Sequence, residues 1–553
     1  MRHLRRLGHS VAAGAVAGAA LAPVQLLLWP DVALPPLKVA LAFAAWTSWG
    51  AVWIGGALFA ASEAAAIFMP YLAAGRRFSV GMWRWLMAAV SFLVAGVAWW
   101  TRAETRDLLL KDNRHSLAWA ASVATLYWLV YLVLAVRRRP RRHALERSAW
   151  AAALLVGWLW GIWAVAPRPR SEAPTIEPPP FAPAHRLLLV SWEGADLPWL
   201  LPLLERGDMP FLHSCWAGGA WGQLRTVRPY TRSATLATLV TGCAPAVHGV
   251  LGRTSYRVPW LTPAPVTLLL VGPWPSPHQL PWRAWARAPI LSPARATLWR
   301  ILLDTGRRVG LVGWPPYARG TWTVARPTVA AAVKAASLDP EIQAALGPVL
   351  RIAPHLAGDA RNSFALAADV GAIARRRALA HPVDALAVDF ELAAHLRPRW
   401  TPEESQGAEG QEVLRLAARL LDEQLRELWE TMGEDTLLVV VSPYGLAPPS
   451  PWQRLVHLGA PAARWRVTPV DSPDGFVFFF GPGVRPGIRL RGAQLADVTA
   501  TVLYLLELPV ARDMAGRVML EAVTDERAAA APLRLVPSYP ATGAAGPTTT
   551  PGR

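Results

Sequence analysis

The sequence predicts two architectures in one chain: an N-terminal all-α transmembrane bundle of about five helices, and a C-terminal α/β domain. Three observations lead there. Apolar segments long enough to span a bilayer recur through the first 166 residues, with dense arginine clusters between them. A proline-rich stretch without periodicity follows at 167–185. From residue 186 onward, short apolar runs alternate with patterns of helical period, as in a mostly parallel sheet covered on both faces.

The apolar segments lie at 9–29, 38–61, 82–101, 116–136 and 148–166. The second can run on to residue 70 through AASEAAAIFMPYL, which puts Glu63 near one end. Glu63 reads as an interfacial carboxylate, with a functional intramembrane acid as the alternative. Arginine placement sets the orientation. MRHLRR precedes the first segment, GRR (75–77) follows the second and RRRPRRHALER (137–147) follows the fourth. The alternate loops balance their bases with acids, as in TRAETRDLLLKDNRH. The N-terminus is therefore expected in the cytoplasm, and everything after residue 167 on the outer side of the membrane, periplasmic or extracellular. No small-residue cleavage site follows the first segment, so a cleavable signal peptide is not expected.

Composition narrows the partners. The formal charge of +18 over 553 residues comes mostly from arginine, and the acids lie mainly after residue 170. That unevenness suits a lipid bilayer. No basic stripe with interleaved aromatics marks the second half, so nucleic acid is excluded as a partner. Cys215 and Cys243 are the only cysteines. They make neither a disulfide framework nor a zinc pattern, and either pair or stay free.

The boundaries follow: 1–166 membrane region, 167–185 linker, 186–527 α/β domain and 528–553 a disordered tail. In the α/β domain the expected strands are RLLLVSW, GRRVGLVGW (306–314), DALAVDF (384–390), TLLVVVS (436–442) and GFVFFFG (475–481). EVLRLAARLLDEQLRELWETM (412–432) has helical spacing. The stretch 253–295, rich in Pro and Trp, fits no regular element and reads as an inserted lobe or lid.

Four segments in order carry a resemblance: VSWEGADLPWLLPLLERGDMPFLHSCWAGGAWGQL, RPYTRSATLATLVTGCAPAVHGVLG, TLWRILLDTGRRVGLVGWPPYARG and LADVTATVLYLLELPVARDMAGRVM. Over residues 186–522 the chain resembles the alkaline phosphatase superfamily, in particular its type I phosphodiesterase/nucleotide pyrophosphatase branch. The resemblance implies a helix–sheet–helix sandwich. It also implies two divalent metals, usually zinc, that activate a Ser or Thr nucleophile and clamp an in-line displacement. Sulfatases share the fold, but CAPAV at Cys243 lacks the arginine of their C-x-P-x-R setting.

Carried over residue by residue, the resemblance meets a changed site. The first metal-binding Asp falls on Glu193. The nucleophile, three residues after Pro229 and nine before Thr241-Gly242, falls on Arg232, which stays protonated. Thr231 and Ser233 flank it. A one-residue shift makes either a nucleophile; the competing reading is a cap on the helix that ends at Gly242. The Asp-x-x-x-His pair falls on Glu391 and His395, one face of a helix. The Asp-His-Gly after a strand falls on Pro443 and Tyr444, neither of them a good metal ligand. The last His falls on Asp471, with His457 as another candidate.

Without metal, Glu193, Glu391 and Asp471 would be unpaired carboxylates, costly unless a cation compensates. Arg232 is the cation at that position, an anion-binding or metal-replacing residue. The expected function is an outward-facing, membrane-anchored member of this superfamily, non-catalytic or strongly impaired, used to bind a phosphate-containing envelope ligand or a protein partner. The alternative is an active, zinc- or manganese-dependent phosphodiesterase, or an envelope phosphotransferase of the phosphoethanolamine or glycerol-phosphate type. A role centred on the membrane bundle is a third reading, with Glu63 its one hint.

Overall fold

The computed structural model describes residues 2–27, 36–68, 76–105, 107–109, 111–136, 185–228, 230–251, 255–257, 266–267, 286–288, 293–315, 317–338, 340, 359–397, 408–446 and 474–539. The chain forms two compact units: 1–171 with 254–289, and 172–253 with 290–553.

The first unit is mainly helical. Helices Arg2–Leu27, Arg76–Glu104 and Lys111–Val136 accompany a continuous helical run from Pro36 to Phe68, interrupted only by a π-helical turn at Gly50–Ile54. Two stretches among the described residues, Arg84–Ala103 and Asn113–Val133, are long and apolar enough to cross a membrane. The expected fifth span, 148–166, lies outside the described residues. Glu63 is held by the first helix: its carboxylate meets His3 Nδ1 at 2.8 Å and Arg6 Nη1 at 3.3 Å. Such pairing fits the interfacial reading of that acid.

Small residues let two of these helices touch backbone to backbone. Gly14 and Gly18, four apart on one helix face, lie against Trp46, Gly50 and Gly55. A Cβ on Gly14 would stand 2.4 Å from the Gly50 carbonyl oxygen, and one on Gly18 would stand 2.1 Å from that of Trp46. Close approach of this kind is what small-residue spacing provides in apolar helix pairs. Gly14→Val is therefore expected to cost about 1–3 kcal/mol through forced separation and to lower the melting temperature of the detergent-solubilised chain. An unshifted melting curve would show that the two helices do not cross at this point.

The stretch expected to lack regular structure contains a small antiparallel sheet of order β4-β3-β5: β3 (Ser255–Arg257), β4 (Val266–Thr267) and β5 (Ala286–Ala288). It groups with the helical unit.

The second unit is built on an eight-stranded sheet. Its strands are β1 (Arg186–Trp192), β2 (Ala220–Arg225), β6 (Val309–Val312), β7 (Trp322–Val324), β8 (Ala385–Phe390), β9 (Thr436–Ser442), β10 (Gly475–Phe480) and β11 (Ile488–Gln494), in the order β11-β2-β10-β9-β1-β8-β6-β7. β1 pairs in parallel with β8 and β9, and β6 with β7 and β8. β10 runs against both its neighbours. β1, β6, β8 and β9 are near-continuous apolar runs because both faces are covered. Leu188, Val190 and Trp192 share a core with helices Leu197–Glu205, Asp359–Ala380 and Ala408–Met432. The alternate residues Leu187 and Leu189 are equally buried on the opposite face. The mixed α/β unit thus has the alkaline-phosphatase-like architecture expected of it.

Two details complete the picture. Cys215 and Cys243 are both free and buried. The tail expected to be disordered from residue 528 is instead ordered through Tyr539. Helix Asp525–Ala530 leads to β13 (Leu535–Val536), which pairs with β12 (Val510–Ala511), and the Tyr539 hydroxyl donates to the Pro509 carbonyl at 2.6 Å. The burial of Val536 and Tyr539 explains the order.

Candidate active site

Parallel strands deliver their carboxyl ends to one edge of a sheet, where open α/β folds place ligands. Here β1 ends at Trp192 and hands over to Glu193, which is 1% exposed. β8 carries Asp389 near its end and is followed by Glu391. These two are i and i+2 and so share one side of the strand direction. β7 ends two residues before Arg326. β9 leads into Pro443 and Tyr444.

The loops between these strand ends are tied together. The Glu193 N–H donates to the Phe390 carbonyl, and the Ala394 N–H donates to the Glu193 carbonyl, both at 2.9 Å. Gly194 sits at φ +81°, where a Cβ would stand 2.7 Å from Ala394 Cα, so only glycine fits. Arg397 joins three loops. It donates to the Gly194 carbonyl at 2.6 Å, to Asp196 Oδ2 at 2.9 Å and to the Leu446 carbonyl at 3.3 Å.

The nucleophile segment forms helix Arg232–Thr241. Thr231 is its N-cap: the hydroxyl accepts from the Ala234 N–H and donates to the Leu251 carbonyl. Gly242 ends it at φ +64°. Ser233 is 5% exposed and stands in the first turn.

Arg232, at the first helical position, points into the cluster. Its Nε lies 2.7 and 2.9 Å from the two Glu193 carboxylate oxygens and 2.8 Å from Glu391 Oε1, and its Nη2 lies 2.5 Å from Asp389 Oδ2. Arg326 adds a second guanidinium, at 2.7 Å from Asp389 Oδ2 and in contact with Glu391 Oε1. His395 Nε2 meets Glu391 Oε2 at 3.1 Å. The Tyr444 hydroxyl donates to Glu193 Oε2 at 3.2 Å, and its ring lies 4.0 Å from that of Tyr230. The three acids present ligand atoms within 4.8 Å of one another.

The electrostatics divide the acids. Burial, with the Asp389 charge beside it, pushes the Glu193 carboxyl well above its ordinary value, although Arg232 pulls the other way. Burial also works against Glu391, but the His395 hydrogen bond and the two guanidiniums outweigh it and hold that carboxyl at about 2. Burial lowers Arg232 too, yet the three carboxylates overcome it and keep the guanidinium firmly charged. Burial and the nearby Glu193 raise Tyr444 well above the usual phenol value, so it stays neutral. Three acids against two guanidiniums leave one negative charge in excess.

The sequence-expected residues Glu193, Arg232, Glu391, His395 and Tyr444 therefore meet at one site. Thr231 serves as a cap, and Pro443 is a turn residue with no ligand atom. Asp471 and His457 lie outside the described residues. Asp389 and Arg326 were not expected. Asp389 had a readable signal, an acid ending the apolar run DALAVDF two residues before Glu391. Arg326, after a three-residue strand, had none.

A family model described as type I phosphodiesterase / nucleotide pyrophosphatase matches residues 187–502. No curated protein matches the chain. Among solved structures, an inactive variant of murine ectonucleotide pyrophosphatase / phosphodiesterase 5 in complex with AMP shares 14% identity. It covers 59% of this chain and 95% of that one, with a TM-score of 0.36. Phosphonoacetate hydrolase from Sinorhizobium meliloti in complex with phosphonoformate shares 18% over 48% of this chain and 57% of that one, TM-score 0.30. A putative sulfatase from Bacteroides thetaiotaomicron shares 14% over 61% and 73%, TM-score 0.39.

Proposed function

Because the chain belongs to the type I phosphodiesterase / nucleotide pyrophosphatase family, we propose that it is a membrane-anchored, outward-facing member that no longer hydrolyses phosphodiesters and acts as a binding or assembly module. One observation carries this reading: Arg232 stands where the resemblance places the nucleophile, and its side chain is bonded to Glu193, Asp389 and Glu391. A guanidinium is always charged and cannot attack phosphorus. The neighbouring hydroxyls give little relief, since Thr231 is committed to capping and Ser233 is buried.

The described residues do not fit a pair of zinc ions. The guanidiniums already contact the carboxylates, Pro443 offers no ligand atom, and Tyr444 is a neutral donor to Glu193.

Anchoring is supported by the two long apolar helices and by the exposure of Trp53, Trp85, Phe92, Trp119 and Leu126 in the helical unit, side chains suited to lipid. The arginine pattern supports a cytoplasmic N-terminus, and the outward side of the α/β unit rests on the five spans expected from the sequence, of which two qualify among the described residues. Protease added to right-side-out membrane vesicles is expected to remove the α/β unit. The purified full chain is expected not to hydrolyse bis(p-nitrophenyl) phosphate with added zinc or manganese. Hydrolysis that disappears in Ser233→Ala would overturn the non-catalytic reading in favour of a phosphotransferase.

A further inference from the structure

Glu193, Asp389 and Glu391 come from two adjacent strand ends and still converge as a cation site would, with ligand atoms within 4.8 Å of one another. The Arg232 guanidinium touches all three, and Arg326 touches two. Asp389 is wholly buried. Its Oδ2 accepts from both arginines, while its Oδ1 has no hydrogen-bond partner among the described residues. A buried carboxylate oxygen is normally paired. This one is already stripped of water and offers its lone pairs to nothing among the described residues.

We propose that Arg232 is a built-in substitute for the metal: its guanidinium fills a cation site that the three carboxylates still form, and its removal opens that site to one divalent cation. The inference deepens the non-catalytic reading and rests on its placement of the site. Carboxylate oxygens are hard donors, suited to manganese or magnesium more than to softer ions. Arg326 stays in either state, so the opened site takes one ion and not two.

The test uses the full chain in detergent and manganese as the probe, with free Mn²⁺ followed by electron paramagnetic resonance. The unsubstituted chain is expected to bind no stoichiometric manganese. Arg232→Ala is expected to bind one equivalent at least about tenfold more tightly, and the double variant Arg232→Ala, Asp389→Asn to lose it. Methylguanidinium, which can refill the vacated place, is expected to raise the melting temperature of Arg232→Ala and leave that of the unsubstituted chain unchanged. Should Arg232→Ala fail to fold, Arg232→Gln, neutral and of similar length, is measured the same way.

Stoichiometric manganese in the unsubstituted chain would overturn the proposal, as would a folded Arg232 variant that binds none. The two readings separate cleanly. In the unsubstituted chain, stoichiometric manganese without hydrolysis sinks the substitution and leaves the non-catalytic module, whereas hydrolysis without bound manganese sinks the module and leaves the substitution.

Discussion

Arg232→Ala is expected to cost the α/β unit about 3–5 kcal/mol, the usual penalty for removing one partner of a buried ion pair. The penalty lies in what is left behind. Glu193 and Asp389 are 1% and 0% exposed and Glu391 is 13% exposed, so water replaces the guanidinium poorly even though the Arg232 side chain itself is 30% exposed. Of the three acids Arg326 reaches Asp389 and Glu391, which leaves the Glu193 carboxylate with the Tyr444 hydroxyl as its side-chain partner among the described residues. The loss should depend on pH. Without Arg232 the pull that opposes burial at Glu193 is lost, so the folded variant holds the Glu193 proton longer than the unfolded chain does, and its stability falls as pH rises. Melting the variant and the unsubstituted chain at pH 5 and pH 8 checks both claims. A cost below about 1 kcal/mol, the range of exposed pairs, would mean that the guanidinium sits in water.

Acid should act through a different residue. His248 is fully buried; its Nδ1 accepts the Val250 N–H at 3.1 Å, so Nε2 carries the hydrogen and donates to Thr238 Oγ1 at 2.9 Å. Burial drives its pKa down to about 3, against about 6.5 in an unfolded chain. The unfolded state therefore binds more protons between these values. The stability this neutral ring supplies is complete above pH 6.5 and drains away towards pH 3, a loss on the order of 3 kcal/mol by pH 4. Glu391, held at about 2, adds a loss in the lower window between its ordinary value and pH 2. Glu193, raised by burial, works in the opposite sense, since the folded state holds its proton longer. His248→Gln removes only the first of these. It is expected to be less stable at pH 7 and to show a flatter decline between pH 6.5 and 4. Equal slopes for the two proteins would reassign the acid loss to the carboxylates.

The long elements of the α/β unit were legible because burial on both faces writes them as apolar runs. RLLLVSW, DALAVDF, TLLVVVS and GFVFFF became β1, β8, β9 and β10 with small changes at their ends. The strands at one end of the sheet were not. The edge strand β11 (IRLRGAQ) and its neighbour β2 (AWGQLR) alternate buried and exposed residues over a short length, and their Gly, Gln and Arg obscure the signal. Within the site, Arg232 could be found by counting from Pro229 and Gly242, Glu193 by its place after the first apolar run, and Glu391 by its spacing to His395. Arg326 could not, since its place in the cluster depends on β7 lying beside β6, a pairing invisible in the linear chain. The helical unit was readable as apolar segments. Its crossing at Gly14, Gly18 and Gly50 was not read, because backbone proximity depends on which faces meet.

The ordered tail has a practical corollary for anyone cutting the protein. A fragment ending at residue 527, where the sequence alone would stop, discards the strand that accepts from Val510 and Arg512 through the carbonyls of Arg534 and Val536. It also removes the Ala531 carbonyl from the Tyr504 hydroxyl and Ser538 from Asp513. An open strand edge then sits beside a bare apolar hollow, a recipe for self-association. An expression boundary drawn after Tyr539 keeps that edge closed, so solubility of the isolated unit depends on a dozen residues that carry none of its chemistry.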